Sequence, residues 1–505
     1  MKYIKKFSIF FLLIVAFNSF GQTQKADEFY FSPIYGNHNV TITSSNEKFI
    51  DAKLTSAIDE VHNKGGGIIT IKNGNYNFKK GVLLKSNVHI HVEPSVNFYM
   101  DNDGDIFTAG SKTTGRPISN FSIIGLHSDT GKQFTVHFKY GNTETSNPKK
   151  GFIRIGYATN FKLSNIKIID AYTKGASVVL SGEFSTVNVF AGPEIEKTKK
   201  NGKKKIKKNK KNSRSSLITE VFGVPSKGII EKMHNENGAY GYGLVQMQAG
   251  NNIVYRDLSG TGGVTLRLES GLNIAQLFRP VGSEPIYTVD GVGLPLTIDK
   301  QPKINQVYGT NIYCENGHGG FMMSPHTIKQ GSVFLSKIRT KSCEAGGGIS
   351  GGFINNFKRE ENAGLEVSKF GIVPGSFASN SVVSDVIADF GQYAQVKSKN
   401  FRYIPCDLRV DRGKYEKNVG LSITKGLDFE SHRGPSLFPL HYASAAKKIG
   451  EGGYRINLDE STIIGNGFGK DIKKISLKES FACDESSDFS TVIGGKKNKK
   501  KTKKK

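Results

Sequence analysis

The chain has 505 residues, 37% of them hydrophobic, which is ample for a large core. Its 58 glycines, 15 prolines and shortage of long amphipathic stretches exclude an all-helical fold and favour β-structure with many turns. The formal charge of +26 is concentrated: Lys197–Arg214 carries eleven Lys/Arg residues and Lys496–Lys505 eight lysines, so most of the excess sits in two low-complexity runs.

Residues 1–21 read as a secretory signal, with Lys2, Lys5 and Lys6 before the apolar run Phe7–Phe17 and cleavage expected near Gly21. The apolar run is too short to cross a membrane, and no later stretch approaches the ~20 apolar residues that a span needs. No cysteine lies near the cleavage point, which argues against a lipid anchor. An exported chain with basic runs fits a sulfated or acidic polysaccharide better than nucleic acid. After an irregular lead-in, Phe49–His62 places Ile50, Leu54, Ala57, Ile58 and Val61 on one helical face. The helix ends at Gly65-Gly66-Gly67, and Ile68–Ile71 and Tyr76–Phe78 follow as strands. This opening matches a helix plugging the end of a solenoid.

Short alternating segments then recur, among them Val88–Val92, Phe121–Ile124, Phe161–Ile169, Ile253–Leu258, Val307–Cys314 and Val333–Ile338. Two Cys-Glu-x-Gly repeats, at Cys314 and Cys343, are spaced as expected of one coil of three strands with its turns. The fold class is therefore all-β: a right-handed parallel β-helix over residues 22–400. It carries a basic insert at 197–214, expected to be disordered, and a proline-bearing loop at 272–303. Residues 401–490 form a last coil or capping segment, and 491–505 a lysine tail. Asn355–Phe377 reads as a further loop. An even cysteine count in an exported chain suggests two disulfides: Cys314 with Cys343, from adjacent coils, and Cys406 with Cys483.

One stretch, Tyr240–His326, collects polar side chains on a strand face. Alternation sends Val264, Leu266 and Leu268 to one side and Thr265, Arg267 and Glu269 to the other. A second copy, Gly319–His326, laid over the first puts Leu266 on Met323 and Glu269 on His326. Stacked as neighbouring coils, the two would bring a cation, a carboxyl and an imidazole together.

Gly241-Tyr242-Gly243-Leu244-Val245-Gln246, Gly262-Gly263-Val264 with Leu266-Arg267-Leu268-Glu269, Ser324-Pro325-His326 and Pro374-Gly375-Ser376-Phe377 together resemble the iota-carrageenase family of glycoside hydrolases. So do Gly228–Glu231 and Lys85–Ile90, and the likeness runs from about residue 28 to about 485. The resemblance implies a β-helix that hydrolyses the β-1,4 bond of iota-carrageenan with inversion. It casts Glu269 as general acid, Gln246 as a positioner of water or base, and His326 as an assisting group. The family pattern Glu-Thr-Asp, with Asp as base, reads Glu269-Ser270-Gly271 here, so the base is absent from its expected place. Asp290 and Asp299 in the following loop are candidates, while Glu315 and Glu344 read as turn residues.

The chemistry of the residues agrees with an anionic sugar substrate. Arg267 suits a sulfate ester through paired hydrogen bonds, or else an ion pair with Glu269. Tyr240 and Tyr242 offer rings to sugar faces. Burial would raise the Glu269 pKa, as a general acid needs, while Arg267 pulls it down. The expected partner is a sulfated polysaccharide met by an exported monomer, either extracellular or at the periplasm or outer surface, with neither membrane nor nucleic acid. No cofactor is required, with a structural calcium or chloride ion left open. Two other readings stay open: a β-helix polysaccharide lyase, and a carrageenan-binding paralogue impaired by Gly271.

Overall fold

The computed structural model describes residues 23–44, 48–110, 117–138, 149–188, 195–198, 204–207, 216–270, 286–289, 292–295, 302–353, 374–409, 431–477, 479–481 and 483. The expected signal, the lysine tail and most of 355–377 lie outside these residues. Parallel strands stack into three walls, making a parallel β-helix. The first wall runs from His38–Ile42 through Gly67–Ile71, Val88–Val92 and Ile118–Gly125 to Val382–Val383 and Asn457–Leu458. The second runs from Gly74–Phe78 through Val96–Met100 and Phe134–Phe138 to Val386–Asp389 and Ile463–Asn466. The third runs from Val82–Leu84 through Gly104–Ala109, Lys150–Ile155 and Val178–Leu180 to Gly319–Ser324, Gly347–Ile349, Leu440–Tyr442 and Ile475–Ser476. In the middle of the molecule, Ser226–Met247 and Gly250–Glu269 are each one continuous strand that passes through all three walls.

Such long strands turn corners because single residues adopt the left-handed conformation. Asn165, Lys232, Asp257, Asn311, Lys337 and Asp385 have φ between 51° and 62° and mark the corner between the first and second walls in successive coils. Asn and Asp tolerate this region better than other non-glycine residues. Asn120 belongs to a matching row before the first wall, where its amide donates to Asn87 Oδ1 at 2.8 Å.

Every second residue of each strand points inward. The lumen is filled by rings such as Phe78, Phe98, Phe107, Phe134 and Phe152, packed edge to face or tilted at centroid separations of 5.2–6.3 Å. The helix Asp51–Asn63 closes the open end, burying Leu54, Ala57, Ile58 and Val61 in the same core.

The coil length departs from the expectation. Val307 pairs with Val333, and Cys314 lies opposite Thr340, so one coil here is shorter than the cysteine spacing. Cys343 falls past that partner, and its thiol lies 3.3 Å from the Cys314 carbonyl oxygen. The predicted Cys314–Cys343 disulfide is therefore absent: both are buried free thiols. The Cys406–Cys483 disulfide is formed. Within 401–490, expected to be a last coil or a capping segment, Leu440–Tyr442 and the strands after it extend all three walls. Parts of both inserts are regular. Ile195–Thr198 pairs with Lys204–Lys207 inside the basic run expected to be disordered. A separate sheet joins Glu183–Asn188, Ser216–Gly223, Ile286–Val289 and Val292–Pro295.

Thiol titration without reductant checks the cysteine correction. No thiol should react in the native protein and two should react per chain after denaturation, because Cys314 and Cys343 are buried and reduced. A count of zero after denaturation would mean a second disulfide.

Candidate active site

The third wall carries the polar row. Val179, Gln246, Arg267 and Met322 are lateral neighbours on four successive strands. Their flanking residues Val245, Met247, Leu266, Leu268, Phe321 and Met323 fill the lumen, so strand alternation turns Gln246, Arg267 and Glu269 outward. Both oxygens of Glu269 are held. Gln246 Nε2 donates to Oε2 at 3.2 Å, Arg267 Nη2 forms an ion pair with the same oxygen, and His326 Nε2 lies 3.2 Å from Oε1. Arg267 also donates to the Gly241 carbonyl, and its guanidinium lies over the Tyr242 ring at 5.1 Å. The sequence-derived residues Gln246, Arg267, Glu269, His326 and Tyr242 thus converge.

The register that unites them differs from the expected one. Glu269 pairs with Ser324 and Leu266 with Phe321, a shift of two residues from the Glu269–His326 alignment. A two-residue shift keeps inward and outward faces unchanged. His326 lies beyond the strand end, after Pro325, and reaches back to Glu269 with a φ of 52°. Its carbonyl accepts the amides of Phe353 and Gly375 at 3.0 and 2.7 Å, and its ring rests against Phe353 at 4.7 Å. Backbone conformation, and not a ladder position, therefore aims the imidazole.

Burial raises the Glu269 carboxyl pKa, but the Arg267 charge and the His326 contact outweigh it, and the net direction is down. Glu269 is therefore held as a carboxylate, contrary to the rise expected from burial. The side chains of Glu269, Arg267 and His326 are only 12, 15 and 14% exposed, so these charges act with little screening by water.

A second cluster adjoins Arg267, and sequence reasoning missed it. Glu344, read as a turn residue, is buried; burial pushes its pKa up to about 7 against hydrogen bonds from Tyr240 and Asn400. Asn400 Nδ2 donates to its Oε1 at 2.7 Å, and its Oε2 has no partner among the described residues. Tyr240 is not open to a sugar as expected: one face stacks on His318 at 4.3 Å and Lys397 Nζ lies 4.7 Å from its ring centroid. Burial lowers the Lys397 pKa to about 8, with repulsion from Lys399 and Arg267 opposed by Glu344 and Glu269. No local pattern marks Lys397 or Asn400, which come from the segment after the second wall. Glu315 does sit at a strand end, paired with Lys341 at 3.2 Å. Asp290 and Asp299 lie outside the described residues.

No family model matches the chain. Among known proteins it is similar to an iota-carrageenase of Alteromonas macleodii, 26% identical over 437 residues, covering 76% of this chain and 75% of that protein. It is equally similar to an iota-carrageenase of Zobellia galactanivorans, 26% identical over 496 residues, covering 88% and 84%. A solved structure named 1,3-α-1,4-β-D-galactose-4-sulfate-3,6-anhydro-D-galactose-2-sulfate 4-galactohydrolase superposes with a TM-score of 0.63 at 22% identity, covering 92% of this chain and 96% of that one.

The balance at Glu269 gives a measurable pH signature. Its depressed native pKa contributes stability above the unfolded value of about 4.5, lost as pH falls through the native pKa. In Arg267→Met, burial should win and lift the native pKa above the unfolded one, so that stability is instead lost as pH rises between the two. Denaturant series should therefore show the gap between wild type and Arg267→Met widening from acid pH up to the raised pKa, then levelling. A gap independent of pH would contradict this account of the site.

Proposed function

We propose that this chain, which belongs to the iota-carrageenase family of glycoside hydrolases, cleaves the β-1,4 bonds of iota-carrageenan with inversion, using Glu269 as general acid. The observation that carries the reading is the grip of Gln246, Arg267 and His326 on both oxygens of a single outward carboxylate. A surface glutamate that only balanced charge would not need three partners drawn from two strands and a turn. The proposed substrate is a sulfated galactan met after export by the residue 1–21 signal.

Arg267 and His326 hold Glu269 ionised, so the acid has to gain its proton as substrate arrives. A sulfate ester entering at Arg267 competes for the guanidinium through paired charge-assisted hydrogen bonds. Once that charge is drawn to the sulfate, burial dominates and the carboxyl takes up a proton. Glu269 then gives this proton to the glycosidic oxygen as the bond to the anomeric carbon breaks. Gln246 and His326 hold the carboxyl against the leaving oxygen. Water attacks the anomeric carbon from the opposite face, and its proton passes to a base. Asp290 and Asp299 remain the candidates for that base, since Gly271 stands where the family places an aspartate.

Reducing-end assays on iota-carrageenan test the assignment. Glu269→Gln keeps the shape of the side chain and removes the transferable proton. It should lower kcat by roughly 10²–10⁴-fold, the usual contribution of general acid catalysis, with KM within a few-fold. Undiminished activity in Glu269→Gln would sink the assignment. Product absorbing in the unsaturated-uronate band would indicate a lyase, and binding without cleavage by the wild type would indicate an impaired paralogue.

A further inference from the structure

The segment Ala394–Lys397 is built into the edge of the site. It pairs with Ser431–Gly434 as a short antiparallel ribbon and lies across the corner that leads into the third wall. Gln395 pins it there: its Nε2 donates to Gly238 O at 2.9 Å and its Oε1 accepts Gly263 N–H at 2.8 Å, bridging two adjacent coils. Gly262 and Gly263 allow this approach. Both have left-handed φ, and a Cβ on Gly262 would lie 3.1 Å from Gln395 Nε2. Asn400 adds a second tie, at 2.7 Å to Glu344.

This anchoring fixes Lys397 over Tyr240, while Arg267 lies over Tyr242, two residues along the same strand. Arg267 Nε is buried and has no partner among the described residues, leaving one strong donor unspent. The charges that act on Lys397 are Lys399 and Arg267 against Glu344 and Glu269. Burial pushes the Glu344 carboxyl up towards its neutral form, which weakens the negative charge set against Lys397 and Arg267. A half-buried surplus of positive charge with an orphaned donor calls for an anionic substituent.

We propose that Lys397, delivered to the third wall by the C-terminal segment, is a sulfate-ester ligand that acts beside Arg267 and sets the requirement for a densely sulfated galactan. The proposal rests on the hydrolase reading above and deepens it. Arg267 meets the sulfate next to the scissile bond, and Lys397 meets a sulfate on the neighbouring sugar. Because the Lys397 contact is the same before and during bond breaking, it acts on KM and not on the chemical step.

Lys397→Met, Lys397→Arg and, as a control for general charge, Lys399→Met separate the outcomes. With iota-carrageenan, Lys397→Met should raise KM about tenfold or more, the worth of one charged hydrogen bond, and leave kcat within about threefold. Lys397→Arg should recover most of the loss, and Lys399→Met should stay within about twofold of wild type. An unchanged KM, a fall in kcat alone, or an equal effect from Lys399→Met would overturn the proposal. Affinity electrophoresis through iota-carrageenan gels gives the same comparison without turnover. Weaker retardation of Lys397→Met supports the ligand role even if the wild type fails to cleave, whereas that failure would count against the hydrolase reading alone.

Discussion

Left-handed corners keep the solenoid in register. A parallel β-helix must change strand direction while every backbone amide stays paired to the coil above or below. Between the first and second walls that is done by one residue per coil with φ between 51° and 62°, repeated in register from Asn165 through Lys232, Asp257, Asn311 and Lys337 to Asp385. Each corner costs conformational energy where the residue is Lys. The surrounding ladders impose it, because a misplaced corner would throw the inward residues of the next wall onto the surface. With the corners aligned, the outward residues of successive coils become neighbours, and Gln246 and Arg267 can share one carboxylate.

At that carboxylate, burial and charge oppose each other. Glu269 sits where desolvation favours the acid form, yet Arg267 and His326 hold it ionised. A site tuned this way responds to anything that draws off the arginine. A neutral sugar would leave the ion pair intact, whereas a sulfate ester competes for it. In the proposed mechanism substrate charge and proton uptake are linked through a single side chain, and specificity enters the chemical step itself. Lys397 and Glu344 form a second pair of the same kind at the edge of the site, where burial pushes both groups towards neutrality.

The parts legible in the sequence were those governed by the strand period. Leu266 and Leu268 against Arg267 and Glu269 showed which face was polar, and the prediction survived a register error because the true pairing, Glu269 with Ser324, differs by an even number of residues. The helix Asp51–Asn63 was equally plain from its spacing. The cysteines show the opposite case. The spacing of the two repeats looked like one coil, but one coil carries Cys314 only as far as Thr340, and the overshoot to Cys343 is enough to separate a disulfide pair. Tyr240 read as an open ring and is packed against His318 and Lys397, partners that nothing near it in sequence announces.

Residue order alone was enough to read the β-helix, its capped end, and the carboxyl, amide, guanidinium and imidazole that converge on the third wall. Alternation and residue chemistry are local properties, and a short window contains them. Folding in three dimensions was needed for the rest: His326 reaching Glu269 from beyond its strand, Cys314 and Cys343 staying reduced, and Lys397 and Asn400 joining the site from the C-terminal segment. Those outcomes depend on coil length, corner conformation and a return of the chain across the wall. Each is set by the packing of residues distant in sequence, which no window along the chain contains.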